Sequence, residues 1–217
     1  GIVHMGAIPN DQIQSESSTF NNNTLSTYNV FQAAAIKGVK HIVSASSETV
    51  LGLPFDNPKP QYVPIDEDHY PYSNSHYSLS KVVGESMADQ FARWHSMSIQ
   101  SFRISNIITE EMYQKFPTWQ DKPFERKWNL WGYIDPRDLA QACRLALEAD
   151  LPGSRPYIIA ADDTVMNRSS KGLLEEVFPD TPITKELGEF ETLLSNTRAK
   201  QEFGFQPKWS WRNMVDL

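Results

Sequence analysis

Short apolar segments alternate with longer amphipathic ones along the first half of this chain. Residues 2–5, 39–45 and 99–108 are apolar and rich in β-branched side chains, which predicts buried strands. Residues 20–37 and 75–95, which lie between those strands, carry apolar side chains near helical spacing. A helix between two buried strands predicts that the strands are parallel and joined by right-handed crossovers. The first half of the chain is therefore expected to form a parallel sheet covered by helices.

The second half of the chain is less regular. Asp135 followed by Pro136 is typical of a helix start, and this helix is expected to run to about residue 149. Residues 52–75 contain five prolines and are expected to form a surface loop. Three shorter elements are predicted from their apolar residues, namely a strand at 157–161 and helices at 169–178 and 197–203.

Composition excludes several classes of function for this chain. Lysine plus arginine number 20 against 27 for aspartate plus glutamate, which gives a net charge of −7. Nucleic-acid-binding proteins normally carry a basic surface, so a nucleic-acid partner is not expected. No apolar run is long enough to span a membrane, and the single Cys143, which is expected in the core, can form no internal disulfide. These features favour a location in the reducing cytoplasm. The five histidines lack the spacing of a metal site, so no bound metal is expected.

The sharpest local pattern is a tyrosine and a lysine four residues apart, Tyr77 and Lys81. Side chains at this spacing share one face of a helix. A nearby ammonium stabilises a phenolate and lowers the pKa of a tyrosine, which a general base at neutral pH requires. The pair alone has little weight, because chance spacing produces such pairs. Its position adds weight, since Ser46 and Ser47 follow a predicted strand, at the edge where open α/β sheets bind ligands.

Five segments match a known pattern in order. They are the strand end at 4–7, the helix at 23–34, Ser46 and Ser47 followed by Gly52, Tyr77 with Lys81, and the strand end at 102–106. This ordered set resembles the extended short-chain dehydrogenase/reductases, in particular the NAD-dependent epimerase/dehydratase group. The resemblance implies an α/β fold, a Rossmann-like doubly wound parallel sheet with a small mixed α/β substrate lobe. The sheet domain would comprise residues 1–108 and 133–161, and the lobe residues 109–132 and 162–217.

The resemblance also implies roles for individual residues. Tyr77 would exchange the carbinol proton, Lys81 would lower the pKa of Tyr77 and hold the nicotinamide ribose, and Ser47 would hydrogen-bond the reacting oxygen. The cofactor, NAD or NADP, would be held by Gly6, Ala7, Ser46, Tyr77, Lys81, Ile104 and Asn106. The substrate would contact Ser47, Glu48, Asn106 and Trp131. Asn23 would be a structural support near the site.

The sequence departs from the family pattern in three ways. It contains no glycine-rich turn for the pyrophosphate and no residue that separates NAD from NADP, and the first βαβ portion that carries them is expected to precede Gly1. Trp131 stands where nucleotide-sugar epimerases place an arginine for the diphosphate, although Lys185 loosely fits a second basic position. Thr49 stands where sugar dehydratases carry an acid, so elimination of water is the least expected reaction.

The sequence therefore predicts an NAD(P)-dependent oxidoreductase or epimerase that acts on a secondary alcohol of a sugar or sugar-derived substrate by hydride transfer. Two alternatives stay open: a nucleotide-sugar 4-epimerase, and a non-catalytic Rossmann-type binding or regulatory protein. By the same resemblance, the helices at 20–37 and 75–95 are expected to form a four-helix bundle with those of a second copy in a homodimer.

Overall fold

The fold is built on a sheet of four parallel strands. A computed structural model describes residues 1–10 and 12–215. The strands are β1 (Ile2–His4), β2 (His41–Ala45), β3 (Ser98–Ile104) and β4 (Gly153–Ile159), and they lie in that order across the sheet. All three neighbouring pairs are parallel, with Val3 opposite Val43 and Ile42 opposite Ile99. The predicted parallel α/β sheet is confirmed.

Helices cover both faces of this sheet. On one face α1 (Glu16–Lys37) and α2 (His76–His95) pack together and bury Phe31 and Phe91 against Ile42 and Ile99. The opposite face is covered by α4 (Pro136–Glu148) and α6 (Thr197–Phe203), whose apolar side chains meet those of β2, β3 and β4. Two short helices, α3 (Glu110–Tyr113) and α5 (Ser170–Val177), lie outside these layers. The helices on both faces make the sheet doubly wound, as predicted.

A third apolar core follows the carboxyl ends of the strands. It includes Val50 after β2, Ile108 after β3 and Ala161 after β4, and it holds the largest buried rings, Trp131 and Trp211. Burial of such rings against the strand ends fixes the loops there, because each large aromatic side chain removes much apolar area from water. The division of the chain into a sheet domain and a substrate lobe stays a prediction.

Several element boundaries differ from those predicted. Helix α1 begins at Glu16 rather than at residue 20, because the Ser15 side chain accepts the Ser18 amide at 3.3 Å and caps the helix before its apolar spacing starts. Strand β3 ends at Ile104 rather than at residue 108, where only an isolated bridge joins Ile107 to Ile134. Strand β4 begins four residues earlier than the predicted 157, at Gly153.

Other predicted features are confirmed. Asp135 caps α4 by accepting the Arg137 amide at 2.8 Å, and Cys143 is buried in the core. Residues 52–75 contain no regular helix or strand, as predicted, but the prediction of a surface loop is wrong in part, because Phe55, Val63 and Ile65 are buried in the third core. Within the described ranges no helix is both long and apolar enough to cross a membrane.

Candidate active site

The candidate site lies where β2 ends. Three consecutive residues there face α2: Ala45, Ser46 and Ser47. Ser47 begins a short 3-10 turn and accepts the Thr49 amide at 3.2 Å, which holds its extended backbone in place. The carboxyl edge of a parallel sheet is the place where open α/β folds bind ligands.

The first turns of α2 bring Tyr77 and Lys81 to this edge. Ser75 caps the helix, and the Ser78 hydroxyl donates to the Thr49 carbonyl at 2.9 Å, which ties the helix start to the 3-10 turn. The Lys81 Nζ donates to the Ala45 carbonyl at 2.7 Å and lies 5.4 Å from the centre of the Tyr77 ring. A hydrogen bond joins Tyr77 to the Ser47 side chain. The structure therefore brings the three predicted catalytic residues together.

Burial dominates the electrostatics of this group. It lowers the pKa of Lys81 from its ordinary value to about 8, because the ammonium is held out of water. Burial also raises the pKa of Tyr77, and the hydrogen bond from Ser47 opposes this only in part. The sequence had suggested a tyrosine pKa lowered by Lys81, whereas the phenol here keeps its proton at neutral pH. Desolvation of the phenolate outweighs the hydrogen bond from Ser47, and the charge of Glu48 raises the pKa further.

The loop after β1 borders the same site. His4 is buried, its Nε2 lies 3.3 Å from the Thr27 Oγ1, and burial and the nearby Lys81 charge lower its pKa. Gly6 is exposed and Ala7 is half-buried, at the position predicted for the nicotinamide side of the cofactor. Asn23 fixes this loop by accepting the Ile8 amide at 2.7 Å and donating to its carbonyl at 2.9 Å. The buried Asn23 is thus placed as the predicted support.

Ser46 and Ile104 were also predicted to contact the cofactor, and in the structure their side chains contact other protein groups. The Ser46 hydroxyl donates to the Glu85 carboxylate of α2 at 2.6 Å, so its side chain faces the helix, whereas the sequence had suggested the cofactor. Ile104 is the last residue of β3 and lies in the apolar cluster with Phe102. Their cofactor contacts stay predictions.

A buried polar cluster extends the site beyond β3. The Glu48 carboxylate accepts the Ser105 hydroxyl at 2.6 Å and the Asn129 amide at 3.1 Å. Burial raises the pKa of Glu48 to about 7, although Ser105, Asn129 and the charge of Arg126 oppose the shift. A carboxyl with a pKa this high is partly protonated at neutral pH. Glu48 is therefore enclosed by its own polar partners rather than open to solvent.

Arg126 is a candidate that the sequence did not single out. Its guanidinium donates to the Asn106 and Asn129 side chains and the Gly132 carbonyl at 3.3–3.4 Å, all neutral oxygens. It lies 4.8 Å from the ring centres of both Trp119 and Trp128. Its buried Nε has no hydrogen-bond partner within residues 1–10 and 12–215. The segment contains several cations, so only the tertiary structure distinguishes this one.

The side chain of Trp131 does not lie where the sequence predicted. It was predicted to contact the substrate, but its side chain is fully buried in the third core and its indole donates to the Pro123 carbonyl at 2.8 Å. A left-handed backbone at Leu130 and Trp131, with φ of 53° and 56°, turns the indole inward. Lys185 lies elsewhere, paired with Glu191 at 2.5 Å. Of these two basic residues, Arg126 is the one that is hydrogen-bonded to Asn106.

The residues at this edge fit one end of a nicotinamide cofactor. The Lys81 ammonium has three N–H donors, and one of them donates to the Ala45 carbonyl. The exposed Gly6 leaves the backbone open to close approach beside them. Among residues 1–10 and 12–215, no group of three or more His, Cys, Asp or Glu side chains could hold a metal ion.

Comparison with known proteins places this geometry in a family. The model of the NAD dependent epimerase/dehydratase family matches residues 1–160. The chain belongs to that family. This membership agrees with the parallel sheet and with the order of the five sequence segments.

Relatives and solved structures agree with this assignment. The chain is 28% identical over 171 residues to L-arabinose 1-dehydrogenase (NAD(P)(+)) of Haloferax volcanii, which covers 75% of this chain and 66% of the relative. It is 27% identical over 170 residues to NAD-dependent glucose-6-phosphate dehydrogenase of the same organism, covering 75% and 60%. The fold is similar to that of Thermotoga maritima UDP-glucose 4-epimerase, with a TM-score of 0.69, 19% identity and coverage of 98% and 73%. The match spans less than two thirds of the two dehydrogenases.

Proposed function

We propose that this chain carries the catalytic residues of an NAD(P)-dependent oxidoreductase that acts on a secondary alcohol of a sugar or sugar-derived substrate. The observation that carries the proposal is the junction of Ser47, Tyr77 and Lys81 at the carboxyl edge of the sheet. A phenol, a hydroxyl donor and a buried ammonium in contact are the groups that proton transfer at a carbinol requires. The relatives that are named as sugar dehydrogenases support this reaction.

Each residue has a distinct task in this reaction. NAD(P), when bound, supplies the hydride acceptor. In reduction the protonated phenol of Tyr77, which its raised pKa favours, donates its proton to the carbonyl oxygen. In oxidation Tyr77 takes the hydroxyl proton of the substrate as the phenolate, so its own proton has to leave first. Ser47 donates a hydrogen bond to the oxygen that becomes a carbonyl. Lys81 and Tyr77 hold the nicotinamide ribose, and Gly6 and Ala7 approach the nicotinamide.

Arg126 indicates the class of substrate. The buried guanidinium has only long hydrogen bonds to neutral oxygens, and the raised pKa of the nearby Glu48 weakens the compensation that this carboxyl gives. An anionic group bound beside Asn106 would supply a further partner. We infer a sugar that carries a phosphate or a carboxylate. The proposed role of Arg126 supports assigning residues 109–132 to a substrate lobe. A diphosphate would suit the same cation, which keeps a nucleotide-sugar 4-epimerase as the second candidate.

A substrate panel tests this function. The protein is mixed with NAD or NADP and with glucose 6-phosphate, L-arabinose or UDP-glucose, and formation of NAD(P)H is followed by absorbance. A dehydrogenase for anionic sugars accumulates NAD(P)H, most rapidly with glucose 6-phosphate. Conversion of UDP-glucose without accumulation of NAD(P)H would instead identify the epimerase, because epimerisation returns the hydride.

The variant Arg126→Met belongs to the same test. Loss of charge-assisted hydrogen bonds is expected to raise KM for the anionic sugar roughly 10- to 100-fold and to leave KM for the neutral sugar almost unchanged. Arg168→Met is the matched control, since Arg168 is an exposed arginine that pairs with Glu176. Equal losses on both sugars would contradict the assignment of Arg126 to an anion.

The two helices beside the site also suggest a partner. Tyr28 of α1 and Phe91 and Trp94 of α2 form a row of rings with centres 5.5 and 5.6 Å apart, and they line an apolar cleft of about 260 Å³. Leu25 and Ile36 of α1 are exposed nearby. An apolar face of this kind on two neighbouring helices suits a second copy of the same pair, so we infer a homodimer through a four-helix bundle. The buried single thiol, Cys143, suits the reducing cytoplasm.

Trp94→Glu tests the dimer. The added carboxylate would be desolvated in the bundle, so the variant is expected to sediment as a monomer at micromolar concentrations at which the unmodified protein is a dimer. Phe124→Glu is the control, because Phe124 is similarly exposed but lies outside the two helices. A monomeric unmodified protein, or a Trp94→Glu variant that stays dimeric, would contradict this interface.

A further inference from the structure

We propose that Ser46, Glu85 and Arg103 form a clamp that positions Lys81, and through it Tyr77, against the end of β2. This inference rests on the proposed function and goes beyond it, because these three residues act through the site rather than on the substrate. It assigns Ser46 a positioning role instead of the cofactor contact expected from the sequence.

Three consecutive residues at the end of β2 bind three residues on one face of α2. Ala45 accepts the Lys81 ammonium at 2.7 Å, and Ser46 donates to the Glu85 Oε1 at 2.6 Å. The side chains of Ser47 and Tyr77 are hydrogen-bonded. Positions 77, 81 and 85 are successive i, i+4 neighbours and therefore lie in one line along the helix. Strand end and helix are thus joined at three points, and the Ser46 bond is the one that uses no catalytic side chain.

Arg103 of β3 keeps Glu85 in position. Its Nε and one terminal nitrogen donate to the two oxygens of Glu85 at 3.1 and 2.9 Å, which is a bidentate pair, and its other terminal nitrogen donates to the Glu67 carbonyl at 3.1 Å. The arginine side chain is 4% exposed and the glutamate 15% exposed. The Glu67 carboxylate in turn accepts the Ile158 amide of β4 at 2.8 Å. The clamp is therefore fixed to the interior of the sheet, and Glu85 presents a stationary oxygen to Ser46.

The surroundings of Lys81 provide a readout of the clamp that needs no turnover. Titratable groups near its ammonium are His4 at the end of β1, Tyr77 one turn before it and Glu85 one turn after it. Burial is what lowers the pKa of Lys81 to about 8. If the strand end moves away from α2, water reaches the ammonium and its pKa rises toward the ordinary value.

Ser46→Ala tests the clamp, with Ser46→Thr as the conservative variant that retains a hydroxyl. Ser170→Ala is the matched control, because the buried Ser170 hydroxyl also donates a 2.6 Å hydrogen bond but lies in α5, outside the site. The Lys81 side chain is titrated by heteronuclear NMR on the lysine-labelled protein, and the Lys81→Met variant assigns its signal.

The expected result is a pKa of Lys81 raised by about half a unit or more in Ser46→Ala and unchanged in Ser46→Thr and Ser170→Ala. In turnover, kcat is expected to fall about tenfold in Ser46→Ala at unchanged KM, since small displacements of catalytic groups affect the reacting state most. An unchanged Lys81 pKa in Ser46→Ala, or the same rise in Ser46→Thr, would overturn the clamp. The titration is independent of turnover, so an inactive but correctly titrating protein would count against the proposed function alone.

Discussion

Replacing Tyr77 by phenylalanine is expected to lower NAD(P)H formation by about 10²- to 10⁴-fold, the range that general acid–base catalysis contributes. The ring remains to fill its place beside Lys81, so the change removes only the hydroxyl and its hydrogen bond to Ser47. Loss of one such bond costs about 1 kcal/mol of the free energy of unfolding, which a folded domain tolerates. Turnover and circular dichroism on the same preparation separate loss of chemistry from loss of fold.

The control for this experiment is Tyr72→Phe, because Tyr72 lies in the exposed loop before α2 and has no place in the proposed reaction. It is expected to retain the rate of the unmodified protein. If Tyr77→Phe also retains that rate, the proposed chemistry is wrong. If the unmodified protein binds NAD(P) yet turns over no member of the substrate panel, the non-catalytic binding protein becomes the better description.

Glu85→Gln is expected to lower the free energy of unfolding by about 3–5 kcal/mol, the usual cost of removing one partner of a buried ion pair. The Arg103 guanidinium stays in the interior of the protein, and a neutral amide compensates its charge poorly. The amide keeps an oxygen for the Ser46 hydroxyl, so most of the loss comes from the unpaired arginine. Urea unfolding followed by circular dichroism measures the change, with a shift in midpoint at an unchanged slope.

Glu148→Gln is the matched control, since Glu148 is also a helical glutamate that pairs with an arginine, Arg144, but both side chains are 60% exposed. Surface pairs four residues apart on a helix contribute only about 0.3–0.5 kcal/mol. The two variants are therefore expected to differ severalfold in effect. Similar losses would show that Glu85 behaves as a surface residue.

The sequence alone was sufficient for the parts of the fold that local patterns determine. Apolar strands separated by crossover helices predicted the parallel sheet, and the spacing of Tyr77 and Lys81 predicted one helical face. Ser47 was chosen through the family resemblance, by its spacing from Gly52, and its place at a strand end agrees with the ligand-binding edge of a parallel sheet. The sheet and the helical face follow from periodicity and topology alone, whereas the choice of Ser47 also needed the resemblance.

The rest of the site depends on contacts between residues far apart in sequence. Glu48 and Asn129 are 81 positions apart, and no local pattern relates them. Trp131 was assigned to the substrate because of its alignment position, but a left-handed backbone turns it into the core. Arg126 was overlooked among other cations because its selection depends on the two tryptophans that enclose it.

The contacts of Glu48 limit which segments of chain can be exchanged between members of this family. Its carboxylate joins the end of β2 to Ser105 after β3 and to Asn129 in the segment that supplies Arg126. In a chimera that takes residues 110–132 from a relative, the buried Glu48 carboxylate would lose Asn129 as its hydrogen-bond partner. The resulting loss of stability would arise at the buried carboxylate and not in the exchanged loop. The loop would therefore have to be exchanged together with positions 48 and 105, because these three separate pieces of chain share one buried carboxylate.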